Sequence, residues 1–424
     1  MFQRKINCFS TIQRFFTIAA VLLAGCSATG VAPVPRLPWR TLWQFDGAAF
    51  DDPPALWTNG TQTLLAWPGE PDSPGIHWVD LSSSPGQAGP IMPTVLPLGK
   101  TPRALTMVPA HDGWMHLLWL DESLPGAVRV WTTVVSADGH VDHAPIAVNN
   151  KVTSTYSVLA LANGSALTLW TDASRRSSLY AQVLDDVGRP FGAVYLSDNV
   201  NFPSAALDLS GRLHLAWLEA QSPTLWVIHY LLLSDPRSLD FQASLEPPQN
   251  SPIGLIHLTA GQTIGSFAIA ADASRVYMLW TALDASTAAS SAGVIGSAHG
   301  LSFPLGDDSA LGTLSFAASG LDSPGSAARS NVRSLYIQKV AEKTLAVGAL
   351  VGNWDENTHT WQDTPAALPI TPSGVGALQP VFAGTADETL GDVALASDPG
   401  GGLVVAWSTL HANGKSAITL ASTR

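Results

Sequence analysis

Residues 206–220 read ALDLSGRLHLAWLEA: an apolar run, Ser210-Gly211, a second apolar run ending on Trp217, and then an acid. Asp208, Arg212, His214 and Glu219 lie within these fifteen residues and, taken alone, have the chemistry of an active site. The phrase is not unique, however. TQTLLAW ends at Trp67, GWMHLLW at Trp119, GSALTLW at Trp170, GRLHLAW at Trp217, SRVYMLW at Trp280 and GGLVVAW at Trp407. TLAVGAL, ending at Leu350, is a degenerate copy between the last two. The copies are 52, 51, 47, 63, 70 and 57 residues apart. His116 occupies the place of His214 two copies earlier, but Leu, Val or Tyr stands there in the others. A ligand or catalytic base is not exchanged so freely, so both histidines read as structural, and Asp208 and Glu219 as strand-end and turn residues.

A turn signal precedes most copies: Asn59-Gly60, Asp112-Gly113, Asn163-Gly164, Ser210-Gly211 and Gly400-Gly401. Before it stands another short apolar run, such as ALTMV, SVLAL, SAALDL, SFAIA or DVALA. Two apolar runs joined by Asn-Gly or Asp-Gly predict a hairpin, because those residues tolerate the positive φ of a tight turn. Third runs follow (GIHWVDL, AVRVWTTVV, SLYAQVL, TLWVIHYLLL), then fourth ones (PIMPTVL, PIAV, AVYLS, LIHLTA). No helical period interrupts the series. Four short strands repeating at this interval predict an all-β chain forming a single β-propeller of seven four-stranded blades. The last copy is one strand short before the chain ends, while residues 40–45 (RTLWQF) offer a spare strand. Pairing the two closes the ring. The recurrent tryptophans, Trp67, Trp119, Trp170, Trp217, Trp280 and Trp407, are then structural, packed between blades.

The N-terminus carries Arg4, Lys5 and Arg14, an apolar run over residues 15–24, and Leu23-Ala24-Gly25-Cys26. The run is half of the roughly 20 residues that span a bilayer, which predicts a secretory leader. Leu-Ala-Gly-Cys resembles the lipobox of bacterial lipoproteins. The resemblance implies that residues 1–25 are a signal peptide removed before Cys26, whose thiol carries the lipid. Palmitate and a membrane anchor in the bacterial cell envelope are then expected, on the outer membrane where two membranes exist, because Ser27 rather than Asp follows the cysteine. Cys8 leaves with the leader, so no disulfide is expected. Residues 26–38 hold Pro33, Pro35 and Pro38 and form a tether of at most about 40 Å, leaving 39–424 for the propeller.

Charged residues make up 13% and mean hydropathy is +0.18, a composition that folds. Net charge is −12, and −15 once the leader is gone, with six lysines in the whole chain; nucleic acid is excluded as a partner. No phosphate-binding loop, Gly-x-Ser-x-Gly elbow or His-Glu-x-x-His is present, and neither a metal nor another cofactor is expected. His140-Val-Asp142-His143 follows Asp138-Gly139 and reads as a turn.

The repeat is similar to sialidase-type propellers, whose Asp-box reads Ser-x-Asp-x-Gly-x-Thr-Trp; no copy holds the full box. Arg36-Leu37-Pro38 resembles the Arg-Ile-Pro motif that supplies one of three substrate-binding arginines in that family. Sialidase activity also implies a tyrosine nucleophile with a nearby glutamate, and Tyr336 with Arg329 and Arg333 comes nearest. The plan of lipobox, short tether and ring is similar to that of lipid-anchored envelope propellers, including an outer-membrane assembly factor. The expectation is therefore a non-catalytic binding or scaffold module whose partner is another envelope protein, with a glycan-active hydrolase or lectin as the alternative. Loops on a rigid scaffold carry binding. Residues 234–252 form an insertion, and Trp354 and Trp361 in VGNWDENTHTWQDTP are the candidate partner-binding residues.

Overall fold

The computed structural model describes residues 39–50, 52–58, 62–82, 93–100, 102–124, 127–161, 163–174, 176–233, 251–284, 295–305, 312–315, 330–341, 344–355, 360–371, 374–375, 379–381, 388–397 and 402–423. They are all-β: 29 strands and no helix among the described residues. None of the described residues forms a helix long and apolar enough to cross a membrane.

The strands form antiparallel sheets, each a meander of consecutive strands. An N-terminal strand, β1 (Arg40–Asp46), precedes them. Sheet one holds β2 (Ala55–Thr58), β3 (Thr63–Pro68), β4 (Gly75–Asp80) and β5 (Thr94–Pro97). Sheet two holds β6 (Arg103–Pro109), β7 (Trp114–Leu124), β8 (Ala127–Ser136) and β9 (Ile146–Ala147). Sheet three follows with β10 (Thr153–Ala160), β11 (Ala166–Asp172), β12 (Ser178–Leu184) and β13 (Pro190–Ser197). Sheet four is β14 (Val200–Leu207), β15 (Leu213–Ser222), β16 (Leu225–Leu233) and β17 (Ser251–His257). Sheet five is β18 (Gln262–Ala271), β19 (Arg275–Asp284), β20 (Ile295–Pro304) and β21 (Gly312–Ser315). Sheet six contains β22 (Ser330–Ala341), β23 (Thr344–Asp355), β24 (Thr360–Thr371) and β25 (Gly374–Val375), with an added β26 (Gln379–Pro380) on β24. The last sheet joins β27 (Glu388–Ser397), β28 (Leu403–His411) and β29 (Ser416–Ser422) to β1, which pairs with β29 from Arg40 opposite Ser422 to Asp46 opposite Ala417.

The turn residues behave as their chemistry dictates. Gly113, Gly164 and Gly211 adopt φ of 83°, 81° and 78°, and Asp112 itself reaches 45°. Asp208 tightens the β14–β15 turn by accepting the Ser210 and Arg212 amides at 2.8 and 2.9 Å.

The cores lie between sheets. One cluster joins sheets one and two through Leu64, Ile76, Met115 and Leu117; another joins three and four through Leu167, Leu169, Leu213 and Leu215. A further cluster joins the last sheet to the first, through Leu65, Val79, Val404 and Ile418, with Leu42, Trp43 and Phe45 of β1 packed on it. Each recurrent tryptophan enters the core between its own sheet and the preceding one: Trp67 against the last sheet, Trp119 against sheet one, Trp170 against two, Trp217 against three, Trp280 against four and Trp407 against six. Neighbouring residues on the second strand face the other way, as Leu118 does toward sheet three. Both faces of that strand are buried, which is why it reads as an unbroken apolar run rather than an alternating one.

Four-stranded meanders stacked face to face, each packed on the next, are the arrangement of a β-propeller. Their first strands are mutual neighbours: β2 lies beside β6, β10 beside β14, β14 beside β18, β18 beside β22, β22 beside β27, and β27 beside β2.

Candidate functional site

The first strands converge on a cavity of about 330 Å³. Ala55 and Leu56 of β2, residues 104–107 of β6, Tyr156 of β10, Gly265 and Ser266 of β18, and Val393 and Ala394 of β27 line it, with Pro53 and Pro54 before β2. Five sheets thus contribute to one axial site.

Its shape follows from a repeated irregularity. The pairing of first and second strands slips at Arg103/Thr106, Thr153/Tyr156, Asn201/Ser204, Ile264/Ser266, Val332/Ser334 and Leu390/Val393. These are β-bulges, which bend the bulged strand and re-aim its side chains. Ala104 and Phe202, within two of them, take left-handed φ of 50° and 51°. In three sheets the residue after the recurrent tryptophan is a hydroxyl that secures this region. Thr171 Oγ1 meets Ser154 Oγ at 2.8 Å, Thr281 Oγ1 meets Ser266 Oγ at 3.0 Å, and Ser408 donates to the Phe50 carbonyl at 2.9 Å.

Tyr156 is the titratable side chain among the described lining residues. Its hydroxyl lies against the Ala104 carbonyl, 2.8 Å from the Leu118 carbonyl and 3.2 Å from Thr106 Oγ1. Burial drives its pKa far up and the Asp52 charge adds to this, against a smaller opposing effect from Thr106. The phenol therefore stays neutral and serves as a strut from sheet three to sheet two. Asp52 is engaged too, its Oδ1 accepting the Ala104 amide at 2.8 Å. No arginine, carboxylate or histidine lines the cavity among the described residues. The described lining is mostly apolar and small, suited to receiving an apolar group, and no acid–base pair occurs among the described lining residues.

No protein-family model matches the sequence, and no curated protein matches it. Solved structures do match in shape. An ulvan lyase of polysaccharide lyase family PL25, bound to -[GlcA(1-4)Rha3S]-, superposes with a TM-score of 0.52 over 89% of this chain and 95% of its own, at 10% identity. BBS1N in complex with ARL6DN gives 0.48 over 91% and 97%, at 9% identity. A thermostable family-43 glycoside hydrolase gives 0.39 over 67% and 97%, at 11% identity. The likeness to the ulvan lyase is one of fold, and it extends over nearly the whole of both chains.

The residues singled out in sequence are dispersed. Asp208, Arg212 and His214 do come together, but in a sealed hairpin. Asp208 Oδ2 is 2.6 Å from Arg212 Nε and 3.3 Å from His214 Nε2, and His214 Nδ1 is 2.7 Å from the Tyr230 hydroxyl. Burial pulls the Asp208 carboxyl up, yet the Arg212 amide, its guanidinium and His214 outweigh that and hold it below the ordinary range. Burial holds His214 below its ordinary value. Sheet five repeats the device with other residues, Tyr277 donating to Asp272 Oδ2 at 2.9 Å. Glu219 lies inside β15, not at a strand end, because the strand runs five residues past Trp217; its Oε2 is 2.7 Å from His229 Nε2.

His116 is fully buried with Nε2 2.8 Å from the Gly164 carbonyl. Both ring nitrogens of His143 face carbonyls, of Ala144 at 2.8 Å and Val187 at 2.7 Å, which leaves neither for a metal. No metal-binding group of histidine, cysteine and carboxylate occurs among the described residues.

Trp354 and Trp361 face each other in the register of β23 and β24, at the end of that hairpin. Arg333 and Tyr336 sit on β22, while Arg329, Arg36-Leu37-Pro38, Cys26 and residues 234–250 lie outside the described residues. Missed in sequence was the ring across from four of the six tryptophans. Trp67 stacks on His77, Trp170 on Tyr180, Trp217 on His229 and Trp280 on His299, with centroids 4.5–5.8 Å apart. The signal was available as one aromatic or imidazole at the same place in several third runs.

Proposed function

We propose that the protein is a lipid-anchored, extracytoplasmic propeller of seven blades that binds a cell-envelope partner and catalyses no reaction. In this reading β1 closes the ring on the last sheet. Residues 1–25 are the leader, Cys26 carries the lipid, residues 26–38 are the tether, and the anchor is in the outer membrane where there are two. The observation that carries the non-catalytic part is the axial cavity, whose described lining is apolar and small and whose one phenol is committed to carbonyls. The pairing of β1 with β29, and the core that joins the last sheet to the first, support a closed ring. In a closed ring of meanders, the starts of first strands and the turns between second and third strands share one face. That face carries the cavity mouth and the Trp354–Trp361 hairpin, and it is the surface offered to the partner. The alternative, a glycan-active protein, draws on the ulvan lyase likeness, which is one of fold and not of residues.

Cross-linking in intact cells, followed by isolation from detergent-solubilised membranes, tests the reading. A stoichiometric envelope protein is expected, lost on Trp354→Ala with Trp361→Ala. Isolation of the chain alone, with glycan cleavage by the purified protein, would overturn it.

A further inference from the structure

Sheet three ends in an open cleft of about 590 Å³, lined by Arg176, Ser178, Tyr180, Tyr195 and Asp198. Its floor is aromatic. Trp170 in the core stacks on Tyr180 at 4.5 Å, and Tyr180 meets Tyr195 edge to face at 5.8 Å, so three rings lead from the interior to the surface. Tyr195 is 48% exposed. Its rim is polar: Asp198 Oδ1 accepts the Ser178 hydroxyl at 2.6 Å, and the exposed Arg176 forms no ion pair among the described residues. The backbone beneath is strained and held. Arg176, Ser177 and Asn199 adopt left-handed φ of 46°, 54° and 58°. The Asn199 and Val200 amides donate to the Arg176 and Ser177 carbonyls at 2.9 and 3.0 Å, lacing the turn to the chain that enters sheet four. Such strain persists only where the surroundings enforce it, and it is concentrated at binding sites.

A half-exposed ring flanked by one acid and one guanidinium without an ion pair among the described residues matches a particular ligand chemistry. A sugar ring has an apolar C–H face and a rim of hydroxyls that both donate and accept. The acid takes donors, the guanidinium gives to acceptors, and the ring covers the C–H face. A volume within the roughly 300–1,000 Å³ of small-molecule sites suits this better than a protein contact of about 800 Å² per partner. Asp198 disfavours a phosphate or sulfate beside Arg176. We infer that this cleft binds one pyranose ring of a neutral glycan, its C–H face on Tyr195 and its hydroxyls between Asp198 and Arg176. The inference deepens the non-catalytic reading, on which it rests for binding without turnover.

The full chain, purified in a sugar-free detergent, is titrated with cellohexaose, maltohexaose, mannohexaose, xylohexaose and chitohexaose by saturation-transfer NMR. At least one binds, with transfer strongest at ring C–H protons, and Tyr195→Ala weakens it at least tenfold. Asp198→Asn does the same and serves as second variant should Tyr195→Ala melt early. Phe191→Ala, 53% exposed on the same strand but outside the cleft, leaves binding unchanged. Absence of binding across the panel, or full binding by both cleft variants, overturns the inference and leaves the envelope-partner reading standing. Shorter oligosaccharides released from a bound hexasaccharide overturn the non-catalytic reading and leave the cleft standing.

Discussion

His116 and His214 are buried imidazoles, each with a ring nitrogen on a carbonyl or carboxylate, and burial holds both below their ordinary value of 6.5. The unfolded chain therefore takes up protons at a higher pH than the folded one. Their contribution is complete above about pH 6.5 and is lost as pH falls below it. Asp208 acts in a lower window: its depressed folded value gives stability above its ordinary 3.8 that disappears as pH falls through the folded value. Urea midpoints measured from about pH 8 to about pH 5 are expected to decline from near pH 6.5. The decline should be shallower in His116→Gln and His214→Gln. Tyr156→Phe removes the donor for buried carbonyls of Ala104 and Leu118 and is expected to cost about 1–3 kcal/mol, read from the urea midpoint at unchanged slope.

Hairpin turns and the meander order were legible, because the apolar runs and Gly-containing turns are local; strand length was not, as β15 runs on past Trp217 to Ser222. The bulges were not, since a slip of register depends on what packs across the strand. Gly391 makes the point. A Cβ there would crowd Ser408 Oγ and lie 2.9 Å from the Phe50 carbonyl oxygen, so the glycine keeps room for the hydroxyl that secures the bulge. Gly391→Ala is expected to lower stability by about 1–3 kcal/mol, as overpacking does, in the same urea assay. The paired rings follow the same logic. Trp217 and His229 are opposite in register with planes 7° apart, a stack that neither run reveals alone.

At the scale of the whole molecule, β1 is distant in sequence from its partner β29 and carries Leu42, Trp43 and Phe45 onto the core between the last sheet and the first. Deleting residues 40–46 bares the β29 edge and that core. The variant is expected to elute as aggregates on size exclusion and to lose its single unfolding transition. The anchor is tested separately: Cys26→Ser is expected to abolish incorporation of labelled palmitate and to leave the leader uncleaved. Retention of label would overturn the lipoprotein reading.

Read alone, the sequence determined the class of fold, the repeat and its spacing, and the central hairpin of most sheets, because hydrophobic patterning and turn chemistry act over a few residues. The tertiary structure decided which face each tryptophan turns to the neighbouring sheet, and that Asp208 and His214 fasten a hairpin. It also decided that Tyr156 is spent on carbonyls and that Tyr180, Tyr195, Arg176 and Asp198 share a cleft. Those outcomes depend on register and on residues brought together from different strands and sheets, and no local pattern encodes either.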